Sequence, residues 1–168
     1  GSTIDDLTFK KYTETLRGND QVVLLNPKNL KNGYYIETGW ATNSENIDVP
    51  NNKTIWKVIG NNKLTPNNPI ILRWENDQGI IFEKKISIDD EYLFTVDQSI
   101  KNTTEKKYNF YPYGQIIRNT APEVTNFYIL HEGLLGVFDD QLVEQDYDDI
   151  EEKKYTVNAE KGWLGITD

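Results

Sequence analysis

The chain has 168 residues, a formal net charge of -9 and a pI near 4.7. That length suits one domain, and the acidic balance argues against nucleic acid or an anionic membrane as partner, because both require a clustered cationic face. Cysteine is absent, which excludes disulfides, thiolate nucleophiles and thiolate metal sites. Methionine is absent too, so the chain reads as a piece cut from a longer protein, with Gly1-Ser2 as the remnant of a cleaved tag and one domain over residues 3–168. No run approaches the roughly 20 apolar residues that cross a bilayer, and the N-terminus lacks the order of a signal peptide.

Short β-type runs separated by Asn, Gly, Pro and Asp turns predict an all-β, antiparallel sandwich or barrel. In chain order, strands are expected over residues 4–12, 21–25, 34–40 and 54–59, with loops over 43–53 and 60–68. The clearest unit is a hairpin whose strands, 71–74 and 80–88, flank the turn Asn76-Asp77-Gln78-Gly79. In its second strand Ile80, Phe82, Ile86 and Ile88 share a parity and should face the core. Lys84 interrupts that series, and is expected where the strand leaves the core edge, its stem packed and its ammonium in water. A half-buried strand follows over 92–100 and another over 108–118, in which Pro112 removes a ladder donor and so predicts an edge or a break. The aromatic run TNFYILHEGLLGVF reads as further strand, and residues 147–154 as one or two helical turns with acids toward the start.

Chemistry has few carriers. His131, the lone histidine, precedes Glu132, but neighbours on a strand point to opposite faces and should not meet. The acidic stretch 139–152 lacks the spacing of a calcium loop and reads as a solvated face. Trp40, Trp56, Trp74 and Trp163 read as core or strand-face packing before they read as a ligand cleft. Tyr111, Tyr113 and His131 are the candidate cleft residues. No catalytic set, phosphate loop, metal site or cofactor motif is present.

Taken in order, IDDLTFKKYTETL, LLNP, YYIETGW, VPNNKTIWKV, the hairpin, YPYGQIIRN, FYILHEGLLGVFDDQLVEQDYDDIEEKK and GWLGITD resemble the periplasmic domain of the YidC/Oxa family of bacterial membrane protein insertases, in its alphaproteobacterial branch. The resemblance runs from about Ile4 to Asp168 and rests on colinear order. It implies a β-supersandwich of the mutarotase-like, carbohydrate-binding type, lying on the periplasmic side of the inner membrane. It also implies a non-catalytic scaffold or contact surface for Sec translocon subunits and nascent membrane proteins, with no cofactor, the parent protein being membrane-embedded and this piece soluble. Family members continue past GWLGITD, so C-terminal strands are expected to be missing. The alternative is a sugar-binding or mutarotase-like enzyme using His131, although mutarotase chemistry needs a pair of histidines with a carboxylate.

Overall fold

Alternating side chains and the turns between them set the elements of the computed structural model, which describes residues 2–122, 131–152 and 154–167. The first expected strand is split into β1 (Ser2–Ile4) and β2 (Leu7–Thr13). The break falls at Asp5-Asp6, where Asp5 Oδ2 accepts the Lys28 amide at 3.1 Å instead of continuing a ladder. β3 (Gln21–Leu25) and β4 (Tyr34–Thr42) follow where the sequence places them. β5 is only Lys57–Ile59. The residues before it are bent, the Asn51 amide donating to Thr54 Oγ1 at 2.8 Å and the Thr54 amide to the Asn51 carbonyl at 3.2 Å.

β6 (Ile70–Glu75) and β7 (Ile80–Ile88) form the expected hairpin. Asn76 closes its turn by accepting the Ile80 amide on Oδ1 at 2.8 Å, and Gly79 takes φ +80, which a side chain would resist. β8 is Phe94–Asn102 rather than a strand from residue 92, because Tyr92 adopts φ 68 and finishes the turn instead. β9 (Phe110–Arg118) contains Pro112 and lies at the edge of its sheet, as the missing donor demands. β10 (Gly133–Phe138), β11 (Gln141–Asp146), the six-residue helix α1 (Tyr147–Glu152) and β12 (Gly162–Thr167) complete the described chain. The strand expected over TNFYIL lies outside the described residues. The architecture is thus nearly all antiparallel β, and no described helix is long and apolar enough to cross a membrane.

The chain forms two compact units, residues 1–4 with 36–115 and residues 5–35 with 116–168. In the first, β5-β6-β7-β8 make a four-stranded sheet, and β1 pairs with β4 from Ser2↔Thr38 to Ile4↔Ile36. Its core is aromatic: fully buried Phe82 on β7 lies 5.2 Å from Trp40 on β4, 5.5 Å from Trp74 on β6 and 5.5 Å from Phe110 on β9, centroid to centroid. Edge-on and tilted contacts of this kind add to the burial of the rings.

The second unit holds the β2-β3 pair and a three-stranded sheet of order β11-β10-β12. β10 starts at Gly133, where φ is +150 and a Cβ would come within 2.2 Å of the Gln145 carbonyl oxygen, so glycine alone fits. Arg118 stacks 5.0 Å from the Tyr34 ring centroid and donates to the Tyr147 hydroxyl at 3.4 Å.

Because Phe82 touches three rings and is wholly enclosed, Phe82→Ala is expected to destabilise the fold by about 4 kcal/mol in urea titration. Leu93→Ala, at a side chain 68% exposed, should stay within about 0.5 kcal/mol. Similar losses for the two would mean that the ring cluster is not the core of the first unit.

Candidate functional site

The chemically least ordinary group is Lys84. Its parity on β7 is that of Ile80 and Phe82, and the structure keeps it on that face with no solvent exposure. This corrects the expectation of an ammonium in water. Nζ donates to Ser2 Oγ at 2.7 Å, to Thr38 Oγ1 at 2.8 Å and to the Thr38 carbonyl at 2.5 Å. It also sits 5.2 Å from the Trp40 ring centroid and 5.3 Å from that of Trp56. An ammonium has three donors and no acceptor, so every N–H is matched while the ring faces supply negative potential. Ser2, expected as a tag remnant, is here a paired strand residue and one of the acceptors.

Burial lowers the Lys84 pKa from 10.5 to about 8, and the Glu37 carboxylate acts in the opposite sense. A lysine with a lowered pKa can serve as a nucleophile toward carbonyl carbon. This one is enclosed, with its donors committed to a hydroxyl pair and a backbone oxygen, and that arrangement belongs to architecture.

His131 lies immediately before β10. Its Nδ1 pairs with Asp146 Oδ1 at 3.1 Å, and its Nε2 lies 3.1 Å from the Leu134 carbonyl. The carboxylate partner is therefore Asp146, at the end of β11 and opposite Gly133 in register, and sequence reading, which looked only at Glu132, missed it. With both ring nitrogens occupied, the imidazole fastens the start of β10 to the end of β11. Tyr111 on β9 is half exposed, and its hydroxyl accepts from Asn43 Nδ2 at 3.0 Å. The Tyr113 hydroxyl donates to Glu37 Oε1 at 3.3 Å. These tyrosines belong to the first unit and His131 to the second. Trp40, Trp56 and Trp74 are in or against the aromatic core, whereas Trp163 is exposed. Among the described residues no cluster of His, Asp and Glu has the arrangement of a metal site.

An apolar groove of about 500 Å³ opens on the second unit. Register builds its floor: Gly136 lies opposite both Val143 and Leu164, so these side chains share a sheet face with Leu134 and Phe138. The Phe138 ring packs over buried Gly136, where a Cβ would come within 2.7 Å of it. Ile150 of α1, with Tyr155 and Val157 beyond it, forms the wall. Sequence reading expected strand and a short helical segment here but not this face, because nothing in either segment alone shows that the two meet.

Lys84 yields two expectations. Its folded-state pKa lies below its unfolded one, so the unfolded chain binds the extra proton between about pH 8 and pH 10.5. Stability contributed by this position must therefore rise with pH across that window. Measured against Lys84→Met, the wild type should gain about 2 kcal/mol between roughly pH 7 and pH 9.5 in denaturant titrations, and a flat difference would refute the buried ammonium. At neutral pH, Lys84→Ala should cost about 3 kcal/mol through its cavity and orphaned acceptors. Lys84→Met, which keeps the volume and removes the charge but leaves the same oxygens unmatched, should cost less, about 1 kcal/mol in the same assay.

Comparison with known proteins matches residues 1–168 to the family described as the YidC periplasmic domain. The chain is 56% identical over 168 residues to the membrane protein insertase YidC of Pelagibacter ubique, covering 100% of this chain and 30% of that protein. The YidC of Dinoroseobacter shibae is 41% identical over 181 residues, covering 100% and 30%. That of Brucella melitensis is 42% identical over 173 residues, covering 100% and 28%. The chain thus spans less than a third of the length of these relatives, and no solved structure matches it. Full-length agreement with the family, carried by an all-β architecture, places the chain in the YidC periplasmic domain family of bacterial membrane protein insertases.

Proposed function

We propose that residues 3–168 act as a non-catalytic periplasmic contact surface of an insertase, meeting translocon subunits or emerging polypeptides while the rest of the protein aids insertion and folding of inner-membrane proteins. The observation that carries this reading is the contrast between committed polar groups and uncommitted apolar surface. Lys84 and His131 spend their nitrogens on structure, whereas on β12 Leu164, 60% exposed, lines an open groove and Trp163, 54% exposed, stands on the other face of the strand. Exposed apolar patches of this kind mark sites of macromolecular contact. Family membership supports the same conclusion, since the relatives are named as insertases.

The test places a photo-crosslinking amino acid at Tyr111, Leu142, Trp163 or Leu164 of the whole protein in cells. Adducts with translocon subunits or with nascent inner-membrane proteins are the expected result. Failure at all four positions, in cells where the protein still supports growth, would overturn the contact-surface reading.

The His131–Asp146 pair at 3.1 Å favours one rival, aldose interconversion by an imidazole and a carboxylate. Polarimetry decides it: the wild type and His131→Ala should both leave the uncatalysed rate of aldose mutarotation unchanged, and acceleration by the wild type that His131→Ala abolishes would establish the enzyme.

A further inference from the structure

We infer that the groove of the second unit receives an unfolded polypeptide segment whose centre is apolar and whose flanks carry lysine or arginine. This inference rests on the contact-surface reading above and names the site and the chemistry of its partner.

The apolar half of the argument is geometric. A hollow of about 500 Å³ lined by Leu134, Phe138, Val143, Ile150, Tyr155 and Leu164 has the volume of a site for a few side chains, by comparison with ligand pockets of roughly 300–1,000 Å³. Its side chains remain partly in water, with Tyr155 55% and Ile150 37% exposed, so an apolar occupant gains from covering them.

Charge selects among occupants. Residues 139–161 contain nine carboxylates against three lysines. Acids flank the lining residues along the chain: Asp139, which accepts the Glu160 and Lys161 amides, and Asp140 directly follow Phe138, while Asp148 and Asp149 stand in the first turn of α1 just before Ile150. Lys161 is held by Asp140 at 2.7 Å, which leaves Lys154 as the cation lining the groove among the described residues. Asp148 and Asp149 have no ion-pair partner among the described residues. An apolar floor flanked by acids attracts a segment of opposite pattern. A second copy of this chain would bring the same acids against these, and an anionic bilayer would be repelled in the same way. A neutral apolar molecule would leave the acids unused.

The experiment titrates the 168-residue chain into three fluorescent synthetic peptides and follows anisotropy. One has a Leu/Val/Ala core flanked by paired lysines, one has that core flanked by paired glutamates, and one has a Ser/Gly/Asn core flanked by lysines. The lysine-flanked apolar peptide is expected to bind at least about tenfold more tightly than either control at low salt, with its lead over the glutamate peptide collapsing at about 0.5 M salt. Leu164→Asn, at a position exposed enough to spare the fold, should weaken binding by about tenfold. Asp148→Asn with Asp149→Asn should weaken it by about threefold, at low salt only.

Equal binding of the lysine and glutamate peptides would overturn the charge assignment, and indifference to Leu164→Asn would overturn the site. Absence of binding, whether the chain is monomeric or forms a dimer that Leu164→Asn dissolves, would overturn the proposal, the dimer identifying a second copy as the occupant. In-cell crosslinks at Tyr111 alone would leave the contact-surface reading standing while this inference fell.

Discussion

The first unit is organised around an ammonium with no route to water. Lys84 occupies the middle of the core face of β7, and a cation there is tolerable only if each of its three donors finds an acceptor. β4 supplies two of these through Thr38, β1 supplies the third through Ser2, and two indole faces complete the enclosure. The position therefore dictates more than its own contacts. The short strand β1 must dock beside Thr38, Trp40 and Trp56 must present their faces, and the aromatic cluster around Phe82 must continue the same layer. Replacing the hydration of one ammonium by three hydrogen bonds and ring quadrupoles still leaves a deficit, which is why the proton is held less firmly than in water.

In the second unit the controlling constraint is backbone geometry. Gly133 admits the chain into β10 at a φ that other residues resist, and His131, two residues earlier, is fastened across the hairpin to Asp146. That fastening spans the β10-β11 pair, and the register of β11-β10-β12 gathers Leu134, Val143 and Leu164 on one face. The polar residues that looked most chemical in the chain are thus committed to the fold, and the apolar surface they position stays open. Such a division suits a contact domain, where a rigid scaffold presents area and charge.

Much of this was legible beforehand. The hairpin β6-β7, the edge position of Pro112, the strand at residues 21–25 and the short helix at Tyr147 all follow from local rules: turn residues, a missing amide donor, alternation and length. Local rules failed where a competing turn or a distant group decided the outcome. Tyr92 fitted the alternation of β8, yet the turn at Asp89 claimed it, the Leu93 amide donating to Asp89 Oδ1 at 2.8 Å. Glu132 was the sequence neighbour of His131, but strand pairing brought Asp146 instead, 15 residues away in the chain.

Lys84 separates the two kinds of knowledge. The sequence by itself determined that it shares a face with Ile80 and Phe82, that the chain is antiparallel β, and that colinear motifs tie it to the insertase family, because parity, turn chemistry and motif order are properties of one dimension. Only the tertiary structure decided that Lys84 is enclosed and not at a core edge, since that depends on Thr38 and Ser2, 46 and 82 residues away. The groove has the same origin. Its floor and wall come from β10, β11, α1 and β12, and pairing register, which no single segment encodes, determines which of their side chains meet.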